Sequence, residues 1–191
     1  MTNLTIDLNS IVDLTEEQFF QLCQKNRDLK FERNAKGDLI IMSPTGGETS
    51  NINAGLNAQL WNWNAQNKLG KIFDSSTGFK LPNGANRSPD AAWITMEKWN
   101  NLTPEQRTKF LPLCPDFLVE LMSPSDSLSE TKAKMKEYLE NGMQLGWLIN
   151  WKIQQVEIYR LGKDVEILDS PTRLSGEDVW PKFVLDMAVF W

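Results

Sequence analysis

The chain has 191 residues, 41% of them apolar, with a net charge of −5 and no histidine. That length and apolar content fit one folded domain with a real core, and the longest apolar runs are too short to span a bilayer. The missing histidines exclude Ser-His-Asp and Cys-His triads, HExxH zinc sites and histidine-dependent nucleases. The negative charge argues against coating nucleic acid through bulk electrostatics and leaves a local basic groove open.

The opening MTNLTIDLNSIVDLT has neither a basic start nor an apolar h-region, so no secretory signal is expected. In DLTEEQFFQLCQKN, Thr15 is an N-cap with Gln18 at the capping-box position, and Phe19, Leu22 and Cys23 share a helical face. LKFERNAKGDLIIMSP reads as a hairpin turning at Asn34–Asp38. TGGETSNINAGLNAQLWNWNAQNKLG is the longest helical candidate, with Ile52, Leu56, Leu60 and Trp63 on one face and Gly70 as its stop. KIFDSSTGFKLP gives one or two strands and DAAWIT a short one; TPEQRTKF is a small helix with Pro104 in its first turn. Phe117–Met122 reads as a buried strand, and LSETKAKMKEYLENG as a helix stopped by Asn141-Gly142. LGWLINW, QQVEIYRLG and DVEILD are three closely spaced strands, followed by a loop and a short apolar end. No internal repeat, low-complexity tract or linker interrupts this order.

The succession predicts an α/β (α+β) domain, a mixed sheet flanked by helices. Residues 117–122, 129–141 and 146–150 form a βαβ unit whose crossover should be right-handed. The eight tryptophans are expected mostly in the core. Cys23 and Cys114 match no metal or redox spacing and read as free buried thiols of a cytoplasmic protein.

One carboxylate, Glu120, interrupts the apolar strand FLVELM. A lone buried carboxylate costs several kcal/mol, so Glu120 faces water, has a partner or holds a metal. Asp90 sits at a similar strand position behind Pro89, where it can also simply end a turn. Glu48 lies near the start of the long helix, where its charge suits the helix dipole. Asp116 reads as a cap or turn residue. Acids of this kind can hold Mg²⁺ together with water and substrate phosphate, and a nearby lysine can steady developing charge. In the helix after Glu120, Leu128, Met135 and Leu139 set the core side. Lys132 and Lys134 fall on its two flanks, and periodicity does not choose between them.

TGFKLPNGANRSPDAAWI, CPDFLVELMSPSDSL, AKMKEYLENGMQLGWLIN and VEIYR, in that order, resemble the Uma-type restriction-endonuclease family of the PD-(D/E)XK nuclease superfamily. MSPTGGETSN and LSGEDVWPKFVLD are similar to it as well, so the likeness runs from about Phe31 to the C-terminus. The resemblance implies a restriction-endonuclease-like mixed sheet flanked by helices. It implies a single nuclease-like domain over residues 1–191, with 1–30 as an N-terminal helical extension. Asp90 matches the PD aspartate, Glu120 the acid of the (D/E)XK element, and Glu48 the acid often supplied by the first core helix. Met122 stands where the superfamily lysine would, and a thioether cannot replace a cation. The resemblance places that lysine on the following helix, four residues before a tyrosine, which selects Lys134 before Tyr138. Relatives of this kind often carry aspartate where Asn150 stands and glycine where Lys182 stands, and some have a histidine at the start of the long helix.

The expectation is a Mg²⁺-dependent (or Mn²⁺-dependent) endonuclease that hydrolyses DNA. Asp90, Glu120 and the Leu121 carbonyl would hold the metal, Glu48 would support it, and Lys134 would orient the attacking hydroxide or stabilise developing charge. A homodimer would cut two strands, and no membrane is involved. The alternative is a non-catalytic nuclease-fold protein serving as a binding or interaction module. An enzyme acting on a small phosphorylated substrate ranks lower, because the chain has no P-loop and no dinucleotide fingerprint.

Overall fold

The computed structural model describes residues 3–8 and 11–191. The first elements are β1 (Leu4–Ile6), α1 (Glu16–Lys25) and the hairpin β2 (Lys30–Arg33)–β3 (Leu39–Met42). The capping box of α1 forms as its sequence dictates, with Thr15 and Gln18 exchanging side-chain-to-backbone hydrogen bonds at 2.9 and 3.3 Å. The hairpin turn is held by Asn34 Oδ1, which accepts the amides of Lys36 and Asp38. β1 pairs with β3, and Phe19 of α1 is fully buried, so β1 and α1 both pack onto the fold.

α2 (Gly47–Asn67) buries Ile52, Leu56 and Leu60, as the periodicity requires. It stops before Gly70, with Lys68 in the left-handed conformation. Gly70 instead opens β4 (Gly70–Asp74), where a Cβ would lie 2.1 Å from the Ile94 carbonyl oxygen. Only glycine lets that strand pass. β5 (Phe79–Lys80), β6 (Asn86–Arg87) and β7 (Ala91–Thr95) follow. The predicted helix over TPEQRTKF is only a single 3₁₀ turn, Gln106–Thr108. The helix lies upstream instead, as α3 (Met96–Asn101), capped by Thr95. It is too short to print a period.

β8 (Phe117–Leu121), α4 (Leu128–Glu140) and β9 (Leu145–Asn150) form the predicted βαβ unit, with β8 and β9 parallel. Gly142, at φ +103°, ends the turn after α4. β10 (Gln155–Arg160) and β11 (Glu166–Asp169) complete the predicted strands, and β12 (Arg173–Ser175) and β13 (Val184–Asp186) pair in the stretch expected to be loop.

The described strands make a five-stranded sheet, β1-β3-β2-β6-β5, a six-stranded mixed sheet, β11-β10-β9-β8-β7-β4, and the β12-β13 pair. The mixed sheet is covered on both faces. One core joins Ile52, Leu56 and Leu60 of α2 to Phe117, Trp147, Trp180 and Phe183. The other joins Leu118, Leu148 and Tyr159 to Met135 and Tyr138 of α4 and to Phe79 and Leu81. Trp93, Trp147 and Trp180 are core residues, whereas Trp61 is exposed. Gly146 sits under α4, where a Cβ would lie 2.6 Å from Met143 Sδ and 2.7 Å from Met135 Cε. Its bare backbone brings the helix close to the sheet. No described helix is long and apolar enough to cross a membrane.

Lys182 holds a left-handed backbone, φ +67°, which costs an L-residue about 1 kcal/mol. The position thus favours glycine. Lys182→Gly should raise stability by about 0.5 kcal/mol after glycine's greater unfolded-state entropy is subtracted. A urea unfolding midpoint that moves up checks this.

Candidate active site

The site forms where the βαβ unit meets the five-stranded sheet. Ala91 of β7 pairs with Val119 of β8 in an antiparallel ladder. Continuing that ladder by one residue places Asp90 opposite Glu120, with both side chains on the α4 face. The order of residues in two strands therefore brings together acids that lie far apart in sequence. Asp90 Oδ2 accepts the Leu121 amide at 2.8 Å, and Asn57 of α2 donates to the Asp90 carbonyl at 3.3 Å.

α4 supplies two side chains to Glu120. Tyr138 OH donates to Glu120 Oε1 at 2.9 Å, and Lys134 Nζ lies 2.8 Å from the same oxygen. Lys134 also donates to Glu32 Oε1 at 2.9 Å. Glu32 lies on β2, so its carboxylate reaches from one sheet to the other. It accepts the Ser88 amide at 2.9 Å and pairs with Arg87 at 3.1 Å. Arg87 in turn donates to Glu137 at 2.6 Å. The chain of charges thus runs Glu137–Arg87–Glu32–Lys134–Glu120, with Asp90 beside its end.

These charges are unequally satisfied. Burial pushes the Glu120 carboxyl up, Lys134 pulls it back, and Asp90 and Glu32 push it further, to about 7. Burial also raises Asp90, against the Leu121 amide and the Lys30 and Lys134 charges. Glu32 behaves oppositely. Burial opposes its ionisation, but Lys134 and Arg87 overcome that and hold it down at about 2. Burial disfavours the Lys134 ammonium, yet Glu120 and Glu32 raise its pKa above the ordinary lysine value. Lys134 is therefore a fixed cation at neutral pH, able to donate hydrogen bonds and unable to accept a proton from water.

The donor set fits a hard divalent cation. Asp90 Oδ1 and Glu120 Oε2 lie outside the hydrogen bonds just described, and both carboxyls lack enough positive charge to ionise normally. Among the described residues, no three His, Cys, Asp or Glu side chains gather into a metal cluster. Two carboxylates are a donor number that an ion such as Mg²⁺ accepts while keeping its waters.

Of the residues singled out in the sequence, Asp90, Glu120, Leu121 and Lys134 come together. Of the two helix flanks, Lys134 faces Glu120, while Lys132 pairs with Glu157 on β10 at 2.7 Å. Glu48 is exposed on the first turn of α2. Asp116 is a turn residue, accepting the Thr95 amide and pairing with Lys98. Glu32 and Arg87 escaped the sequence reading. Glu32 lies on β2 and Arg87 on β6, 55 residues apart, and only the tertiary fold brings them together and buries both.

The fold is shared with a solved protein from Anabaena variabilis ATCC 29413, described as "a putative nuclease belonging to DUF820". The two superpose with a TM-score of 0.71 over 84% of this chain and 88% of that one, at 18% identity. No curated protein matches the chain. The model of the Uma2 family, described as "Putative restriction endonuclease", matches residues 16–188, a span that takes in every residue of the charge chain. With that match over most of its length, the chain belongs to the Uma2 family.

Proposed function

We propose that this chain is a Mg²⁺-dependent endonuclease, also served by Mn²⁺, which hydrolyses DNA phosphodiester bonds as a cytoplasmic homodimer. The observation that carries this reading is the Asp90–Glu120 pair, a part-buried and a buried carboxyl, both of raised pKa, on neighbouring strands beside a fixed lysine. Asp90 and Glu120 would hold the ion, with the Leu121 carbonyl as a further oxygen donor. Glu48 is retained as a supporting acid from the first turn of α2. When bound, the ion would supply Lewis-acid activation of water and neutralise charge on the phosphodiester. Tyr138 fixes the rotamer of Glu120 through its hydrogen bond. The Lys134 ammonium donates hydrogen bonds to the attacking oxygen or to the charge growing on the phosphoryl oxygens. Water gives up one proton to solvent as it adds to phosphorus, one P–O bond to a sugar breaks, and the leaving alkoxide takes a proton from solvent.

Titration and metal binding should then be coupled. Glu120 ordinarily titrates at 4.5 and here at about 7. Between those values the folded chain holds a proton that the unfolded chain has lost, so its contribution to stability falls as pH rises through that window. Glu32 acts in a lower window, its stabilisation being lost as pH falls from 4.5 through about 2. Mg²⁺ competes with the Glu120 proton, so the rise in Tm with Mg²⁺ should be larger at pH 8 than at pH 6. Glu120→Gln should abolish that rise. A Tm indifferent to Mg²⁺ and Mn²⁺ at pH 8 would instead favour the non-catalytic binding module.

A further inference from the structure

A second buried carboxylate lies on the face of the mixed sheet that carries Glu120. Glu120 of β8 and Glu157 of β10 both stand in register with Leu148 of the strand between them. They are thus two strand spacings apart, about 10 Å. Glu157 is 4% exposed. Its Oε2 accepts the Tyr159 hydroxyl at 2.8 Å, and its Oε1 pairs with Lys132 Nζ at 2.7 Å. Each of the two carboxylates therefore has one lysine from α4 and one tyrosine hydroxyl. They differ in surplus charge. Glu120 shares its lysine with Glu32 and sits beside Asp90, whereas among the described residues Glu157 has Lys132 as its one ion-pair partner.

Lys132 and Lys134 are two residues apart, about 200° around a helix. They leave α4 on opposite flanks, one toward β10 and the other toward β8 and β2. Between them Met135 and Tyr138 face the sheet, fully buried, and Gly146 leaves the helix close above β9. Polar ties hold both flanks of the helix: Lys134 and Tyr138 to Glu120 and Glu137 to Arg87 on one side, and Lys132 to Glu157 on the other. The Lys132–Glu157 pair is the counterweight on the flank away from Glu120.

We infer that Glu157, through Lys132, is a positioning residue that sets the roll of α4 and so places Lys134 against Glu120. The step from that placement to cleavage rests on the proposed nuclease reading; the placement itself does not. A displacement of about 1 Å in such a group can cost about 100-fold in rate.

The test uses the full chain as Lys132→Met, Glu157→Gln and the charge-swapped pair Lys132→Glu/Glu157→Lys. Crystal structures report the placement directly. The expected result is Lys134 Nζ displaced from Glu120 by roughly 1 Å or more in both single variants, and returned in the swap. Lys134 still at its 2.8 Å contact in either single variant overturns the inference. Steady-state cleavage of plasmid DNA in Mg²⁺, well below each Tm, should show kcat lowered roughly 10- to 100-fold with KM unchanged, and largely restored by the swap. If the single variants lose Tm but keep kcat, Glu157 is merely structural and the inference fails. If the wild type does not cut DNA, the nuclease reading fails, and the crystal structures still decide the placement.

Discussion

Asp90→Ala and Glu120→Ala should each lower Mg²⁺-dependent DNA cleavage by at least ~10³-fold, because each removes half of the proposed two-carboxylate site. Charge stabilisation by a bound cation is worth several kcal/mol, and each 1.36 kcal/mol is tenfold in rate. The loss should not come from unfolding. Both carboxyls are disfavoured as anions where they stand, so truncation relieves electrostatic strain while opening a small cavity. Glu120→Ala also frees Lys134 from one partner but leaves it bound to Glu32. The variants should therefore stay folded by circular dichroism while a plasmid nicking assay falls to background. If both cut at the wild-type rate, Asp90 and Glu120 are not the site.

Lys134→Met should be the most destabilising single change in the charge chain. Methionine keeps the apolar stem of the lysine and removes the ammonium held between Glu32 and Glu120. Breaking a buried ion pair by removing one partner costs about 3–5 kcal/mol. Glu32 keeps Arg87 and the Ser88 amide, but Glu120 keeps only the Tyr138 hydroxyl. Glu120 then has a simple escape, which is to bind a proton. The loss of stability should accordingly be smaller at pH 6 than at pH 8.5, measured as urea midpoints. An equal loss at both pH values would show that Glu120 does not feel the Lys134 charge. Cleavage should also fall, by roughly 10²–10³-fold, since a preorganised donor to the transition state is gone.

The residues of the candidate site could be named as such from the sequence only through the family resemblance, but their meeting follows from local order. The PD and VEL segments each put an acid at a strand position, and antiparallel pairing of β7 with β8 sets them opposite each other. The helical wheel offered Lys132 and Lys134 as equals, and both do reach buried carboxylates. The choice between them depends on which strand lies beneath each flank, and that is tertiary. Glu32 was out of reach for the same reason. Nothing in LKFERNAK shows that a second sheet covers that strand and turns its glutamate onto Lys134. The short elements failed on length: α3, β1 and β12 are too brief to print a period. Gly70 misled because its role as a helix stop and its role under Trp93 look alike in sequence.

The central claim is that Asp90 and Glu120 hold a divalent cation beside a fixed Lys134. A crystal of the wild-type chain soaked in Mn²⁺ at pH 8, where Glu120 is ionised, tests it most directly. The account predicts an anomalous peak bonded to Asp90 Oδ1 and Glu120 Oε2, with Lys134 Nζ within hydrogen-bond reach of a water on the ion. Soaked crystals with no peak between the two carboxylates, and Lys134 still bridging Glu32 and Glu120, would contradict it.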